Sequence, residues 1–197
     1  MVRFPLSNLE KYRVVLASNS PRRKELLSGL GITFEVRVLQ GIDESYPAHL
    51  CGEDIPIHIA GAKARAYMDT LAPNELLITA DTVVCKDGAV LGKPSNATEA
   101  HDMLRDLSGQ LHQVITGVSL STTREQRCFA VTSEVRFDPL SDEEIDYYVH
   151  HYRPFDKAGA YGIQEWIGMI AVKELRGSFF NVMGLPVQRL YQELRTF

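Results

Sequence analysis

The chain has 197 residues, 45% of them hydrophobic and 23% charged, with a formal net charge of −4. That length and apolar content can bury a core without disulfide or metal staples, so one domain spanning residues 1–197 is expected. The acidic balance excludes general nucleic-acid binding, which draws on an excess of Lys and Arg, but leaves room for a small anion in a local basic pocket.

Arg13 to Ala17 reads as a short buried strand, and Pro21 to Leu30 as a helix with Leu26, Leu27 and Leu30 at helical spacing and Gly29 or Gly31 to end it. Ile32 to Leu39 is strand-like, with Phe34, Val36 and Val38 on one face. Ile55 to Leu71 reads as a longer helix rich in Ala, Lys and Arg. Leu76 to Cys85 is a buried strand, followed by the hairpin turn Lys86-Asp87-Gly88-Ala89 and a return through Val90-Leu91. Asn96 or Thr98 can cap a helix running to Leu107, closed by Ser108-Gly109. Strands are expected from His112 to Ser121 and from Arg127 to Phe137. Ser141 with Glu144 three places on is the pattern of a capping box opening another helix. Pro154 to Gly162 reads as a glycine-containing loop, Ile167 to Leu175 as a strand and Leu185 to Leu194 as a closing helix. This alternation predicts an α/β architecture around a mixed sheet.

Cys51, Cys85 and Cys128 are scattered and odd in number, which suits reduced thiols in a cytoplasmic protein, and no C-x-x-C or Cys/His cluster suggests zinc. Met1 to Lys11 lacks the apolar core of a signal peptide, and no apolar run approaches the length of a membrane span, so no membrane partner is expected. His150-His151 is read as an exposed helix end and His112 as structural. There is no G-x-x-x-x-G-K-[ST] or G-x-G-x-x-G segment, so neither a P-loop nor a dinucleotide-binding fold is indicated.

Three clusters carry candidate chemistry. In Ser18-Asn19-Ser20-Pro21-Arg22-Arg23, Ser20 is a natural cap and Pro21 suits the first helical position. Two arginines directly after them oppose the helix dipole, which makes sense when an anion occupies the turn; a solvated first turn is the plain alternative. In Thr79-Ala80-Asp81-Thr82-Val83-Val84, an acid ends an apolar strand, and Gly92-Lys93-Pro94 returns after the hairpin. A carboxylate and a lysine together suit phosphoryl chemistry, and an isolated pair of this kind also serves as a structural salt bridge. Asp43-Glu44 places adjacent carboxylates where a cation can separate them, while Lys63 projects from a helix face of small residues.

Taken together, these segments resemble the Maf family of nucleotide pyrophosphatases. The resemblance runs in order over nearly the whole chain and adds Lys63-Ala64, Thr116-Gly117-Val118, the stretch from Asp156 through Lys157, Gly159 and Gly162 to Gln164, and Asn181-Val182-Met183-Gly184-Leu185-Pro186. It implies an elongated mixed β-sheet flanked by helices, in two lobes with a central cleft. It also implies hydrolysis of a nucleoside triphosphate to the monophosphate and pyrophosphate with a divalent metal cation, Mg²⁺ or Mn²⁺, usually in a homodimer, and a house-cleaning role against unwanted nucleotides. On this resemblance Asp81 corresponds to a general base, Glu44 to a metal or water ligand, and Lys63 and Lys93 to phosphate-neutralising lysines. Glu44 and Asp81 are the expected metal ligands, and Ser18, Arg22 and Arg23 the substrate contacts of the turn. Arg23, Thr82 and Gln164 together resemble the branch acting on dTTP and UTP. A glutamine amide can both donate to and accept from a pyrimidine edge, which gives Gln164 a physical rationale. Glu165-Trp166, next to it, has no assigned role. A nucleotide-sensing module tied to cell-division control, with little turnover, is the alternative; binding alone does not need carboxylates beside phosphates.

Overall fold

An unbroken apolar run makes Arg13–Leu16 a strand, β1, whose Val14, Val15 and Leu16 are all buried in the computed structural model, which describes residues 5–197. The first four residues of the leading segment Met1 to Lys11 lie outside the described residues. Around β1 grows a seven-stranded sheet containing β2 (Phe34–Val36), β3 (Glu75–Lys86), β4 (Ala89–Leu91), β5 (Leu111–Ser121), β6 (Gln126–Phe137) and β7 (Val172–Arg176). Its order is β2-β1-β3-β5-β6-β7, with β4 paired to β3. β1 runs parallel to β2 and β3, whereas the β3–β4 and β6–β7 pairs are antiparallel, so the sheet is mixed. Among the described residues seven α-helices complete the α/β fold: α1 (Pro21–Gly29), α2 (Asp54–Arg65), α3 (Ala97–Leu107), α4 (Asp142–Tyr152), α5 (Trp166–Ala171), α6 (Phe179–Val182) and α7 (Val187–Arg195). Among the described residues no helix is long and apolar enough to cross a membrane, and all three cysteines are free thiols.

The chain divides into two compact units. One takes the described residues up to Asp81, with Thr116–Val131 and Gly184–Phe197; the other takes Thr82–Ile115 and Thr132–Met183. In the first unit Val15, Ala64, Tyr67, Leu71 and Leu77 form a buried cluster. Tyr67 also explains why the helix expected to reach Leu71 stops at Arg65. Its ring turns inward, 1% exposed, and its hydroxyl accepts from Leu39 N–H (2.8 Å) and donates to Arg37 O (3.0 Å). That capture also shortens the strand expected from Ile32 to Leu39 to the three residues of β2, because the backbone beyond Arg37 is committed to a side chain and not to a ladder.

Glu75, at the start of β3, was not singled out by the sequence pattern, yet it is 1% exposed. Arg13 of β1, its register partner, and Arg37 both donate to its carboxylate, and Ala72 N–H donates at 3.0 Å. Hydrogen bonds from Arg37, set against burial, hold the Glu75 carboxyl down at about 2. Glu75→Gln leaves two arginines short of a charge partner and is expected to cost about 3 kcal/mol at neutral pH. Because the folded-state pKa is depressed, this stabilisation is complete above the ordinary value of 4.5 and is lost as pH falls toward about 2. Chemical denaturation of both proteins should therefore show the gap between them closing across that acid window.

In the second unit the hairpin expected at Lys86 to Ala89 forms with Asp87 (φ 50°) and Gly88 (φ 82°) both left-handed, as a tight two-residue turn requires. α3 is capped by Asn96, whose side chain accepts from Glu99 N–H, and Ser141 and Glu144 make the expected capping box at α4. His112 is buried, with its Nε2 2.7 Å from the Tyr161 hydroxyl and its ring edge-on to Phe137. Burial holds that imidazole at about 4, so it is neutral at physiological pH and structural, while His150 and His151 are exposed at the end of α4.

One expected element differs. The single strand read over Ile167 to Leu175 is instead α5 followed by β7. A continuous apolar run has no alternation to separate the two conformations, and Gly168 decides the matter. Its N–H donates to Glu165 O (2.9 Å), and a Cβ there would sit 1.8 Å from Ile163 O. The chain turns tightly at a point that admits only glycine.

Candidate active site

Thr79 and Asp81 alternate onto the same face of β3. Ala60 and Lys63, three residues apart on α2, share a helix face in the same way. The two elements meet at both positions: the buried Thr79 hydroxyl donates to Ala60 O (2.7 Å), and Lys63 Nζ donates to Asp81 Oδ1 (2.8 Å). A third approach fixes the start of α2, where Gly117 of β5 faces Pro56; a Cβ on Gly117 would lie 2.3 Å from the Pro56 carbonyl carbon. The lysine and the carboxylate are thus held together by backbone geometry on either side of them.

Glu44 reaches the same ammonium, with Oε1 3.1 Å from Lys63 Nζ. Its loop is anchored upstream by the Tyr67 hydroxyl at Arg37 and Leu39. Asp43 does not join it. Its carboxylate accepts from Ser45 N–H (2.8 Å) and Ser45 Oγ (3.0 Å), and these bonds hold its pKa below the usual range. The adjacent acids therefore divide their work, Asp43 shaping the turn and Glu44 facing Lys63.

The turn from β1 to α1 has the expected cap but spends its amides internally. Ser18 Oγ accepts from Ser20 N–H (3.2 Å), and Ser20 Oγ accepts from Arg23 N–H (3.4 Å). Each hydroxyl retains its own proton to donate. The expectation that bare N–H groups and two open guanidiniums face an anion changes accordingly. Arg23 is pinned, with Nε donating to Gly184 O and Nη1 to Ala80 O, both at 2.8 Å. Burial lowers its pKa, with Asp81 and Glu44 opposing that effect and Arg22 adding to it. Arg23 is a positive charge fixed on the carbonyl of Ala80, the residue before Asp81, while Arg22 is half-buried at the head of α1.

The remaining candidates lie in the second unit. Thr82 is the next residue along β3 and, by strand alternation, faces away from Asp81. Lys93 is exposed in the loop after β4. That loop is tied to the Asp156–Gln164 stretch by Gly159 N–H donating to Gly92 O (3.0 Å). Gly159 is left-handed (φ 66°), and a Cβ on it would meet Val84 Cγ2 at 3.0 Å, which accounts for a glycine at this point. Gln164 is half-buried, and its Oε1 is buried with no hydrogen-bond partner among the described residues. Sequence reasoning missed what surrounds it: Tyr148 of α4, Glu165 and Lys157 form a buried polar cluster. The only signal was an acid and a lysine inside an otherwise apolar, glycine-rich stretch. In the Asn181 motif, Asn181 Nδ2 donates to Val114 O and Ser133 Oγ at 3.0 Å each.

In the first unit, then, Glu44 and Asp81 direct carboxylate oxygens at one point, now filled by the Lys63 ammonium, with the Arg23 guanidinium alongside. Two hard oxygen donors at one point are the protein share of a typical Mg²⁺ site, which completes its shell with water and substrate phosphate. Among the described residues no group of three or more His, Cys, Asp or Glu could hold a metal ion. The donor set fits a divalent cation.

Comparison with known proteins places this geometry in context. The family described as "Maf-like protein" matches residues 13–197. A protein of Phocaeicola vulgatus named dTTP/UTP pyrophosphatase is 63% identical over 190 residues, covering 96% of this chain and 98% of the relative. One of the same name from Parabacteroides distasonis is 59% identical over 192 residues, covering 98% and 100%. Among solved structures, a HAM1 protein from Coxiella burnetii aligns over 94% of this chain and all of its own at 13% identity, with a TM-score of 0.48. With the family match covering nearly the whole chain and relatives this close along their full length, the chain belongs to the Maf-like family.

Proposed function

We propose that this protein is a nucleoside triphosphate pyrophosphatase that hydrolyses dTTP and UTP to the monophosphate and pyrophosphate. The observation that carries the reading is the meeting of Glu44 and Asp81 at the Lys63 ammonium beside the anchored Arg23. The names of relatives at about 60% identity support the substrate.

Glu44 and Asp81 would hold a divalent cation, Mg²⁺ or Mn²⁺, which when bound neutralises phosphate charge. The Lys63 ammonium neutralises Asp81 and Glu44 in this structure and, where a cation takes its place between them, would donate to a phosphate oxygen. Arg23 contributes a charge whose position is set by Ala80 and Gly184, so no reorganisation is needed as negative charge builds on the leaving group. Water attacks the α-phosphorus, the bond to the bridging oxygen breaks, and pyrophosphate leaves; the Asp81 carboxylate takes the water's proton. Ser18 and Arg22 add donors at the turn. The family resemblance assigns Lys93 to the phosphates and Thr82 and Gln164 to selection of the base. Scattered free thiols support a cytoplasmic setting, and the resemblance supports a homodimer.

A panel of canonical triphosphates with Mg²⁺ or Mn²⁺, products separated by ion-exchange chromatography, tests this. UMP and dTMP with equimolar pyrophosphate are expected, with purine triphosphates turned over far more slowly. Tight UTP binding with no UMP formed would instead identify a sensing module.

A further inference from the structure

Gln164 occupies the third position of a four-residue turn, closed by Glu165 N–H donating to Gly162 O (3.0 Å). Both ends of that turn are gripped by one hydroxyl. Tyr148, fully buried on α4, accepts from Gly162 N–H (3.0 Å) and donates to Glu165 Oε2. The other carboxylate oxygen of Glu165 meets the buried Lys157 ammonium at 3.2 Å, and that ammonium also meets Asp156 at 2.7 Å. The packing leaves no slack: a Cβ on Gly162 would lie 2.9 Å from Gln164 Nε2 and 3.0 Å from Glu165 Cδ. The amide nitrogen is therefore packed over Gly162, and the oxygen is left buried and without a hydrogen-bond partner among the described residues. A buried acceptor without a donor is costly, and a ligand N–H removes the cost.

We propose that Tyr148 and Glu165, with Lys157 as the counter-charge, are positioning residues that fix the Gln164 amide with its oxygen as the group presented to the base. The inference rests on the reading that Gln164 contacts the base. An amide oxygen fixed in this sense matches the imide N–H at N3 of uracil and thymine. It opposes cytosine, whose N3 is an acceptor, so that two lone pairs would face each other in a dry site. Turning the amide over would reverse the preference, and the two hydrogen bonds of the Tyr148 hydroxyl hold the turn on which the amide sits. Neither Tyr148 nor Glu165 needs to touch the substrate for this.

Three variants separate the possibilities, each assayed for kcat and KM with UTP and CTP, with a thermal melt as a check on folding. Tyr148→Phe removes only the hydroxyl, and Glu165→Gln keeps the shape while removing the charge that holds Lys157. Each is expected to lower the UTP/CTP ratio of kcat/KM by at least about tenfold. The change should come through a raised KM for UTP and an improved reaction with CTP, with kcat for UTP little altered. A parallel fall for both nucleotides would reveal a merely structural cluster and overturn the proposal. Gln164→Ala reports on the underlying reading. If it leaves the ratio unchanged, the base contact itself is wrong. If it collapses the ratio while Tyr148→Phe and Glu165→Gln do not, Gln164 reads the base without these residues and the positioning role is excluded.

Discussion

Asp81→Asn is expected to lower kcat for pyrophosphate release from UTP by about 100- to 10,000-fold. The amide is isosteric, so the fold of β3 is undisturbed, and its oxygen can still accept from Lys63. Two things are lost: a negative oxygen able to hold a cation, and a base able to accept a proton. A third effect follows from the surroundings. Burial already lowers the pKa of Arg23, and Asp81 is the first of the charges that opposes this. Removing it leaves Glu44 as the nearest compensating carboxylate, itself half-exposed on a loop. UTP affinity in the variant, measured by calorimetry without turnover, separates lost chemistry from lost binding. Near-wild-type turnover with either metal would remove Asp81 from the reaction.

Gly117→Ala should be the most damaging single methyl in the first unit. Its Cβ would come within 2.3–2.5 Å of three backbone atoms of Pro56 and Ile57, and backbone cannot rotate aside as a side chain can. The expected cost is about 3 kcal/mol or more. For a chain of this size that is a fall of roughly 6–12 °C in the melting midpoint. Activity should fall with it, because the residue displaced is on the helix that carries Lys63. Gly61→Ala on the same helix is the control. Its new Cβ would meet only side-chain atoms at ordinary contact, Arg65 Nη1 at 3.4 Å, Cys128 Sγ at 3.9 Å and Gln126 Nε2 at 4.0 Å, and replacing a helical glycine is expected to gain about 0.5–1 kcal/mol. Equal melting temperatures for the two variants would contradict the close approach of α2 to β5.

Gly117 also shows where a sequence stops being readable. Its place in a strand pattern was evident, and an interior strand glycine commonly marks a close approach. Which backbone approaches is a tertiary fact with no local signature. The same holds for Glu75, whose two arginine partners become its neighbours only when β1 and β3 pair. Local chemistry, by contrast, was legible: the Ser20 cap, the Asp87-Gly88 turn and the Ser141/Glu144 capping box follow from side-chain oxygens and left-handed residues acting within a few positions. At the site, Asp81, Glu44 and Lys63 were identifiable as residue types, and the structure supplied their meeting. Arg23 was read as reaching outward, because a sequence cannot show that carbonyls of Ala80 and Gly184 would claim its guanidinium. The strand assigned over Ile167 to Leu175 went astray for the opposite reason, an apolar run compatible with either conformation until Gly168 packs against Ile163.

The interleaving of the two units bears on how the protein is made. Neither is a continuous stretch of chain: β3, β5 and β6 each begin in one unit and end in the other, and the first unit is closed only by Gly184–Phe197. A polypeptide emerging from the ribosome therefore cannot complete either unit early and fold it in isolation. Arg23 illustrates the delay, since one of its two anchoring carbonyls, Gly184, is synthesised long after it. Until then a charged guanidinium lacks a partner it will have in the finished core. Contacts so distant in sequence slow the search for the native pairing. Folding of this chain should be a late, largely post-translational event, and truncations that remove the last segment should trap it before Arg23 is anchored.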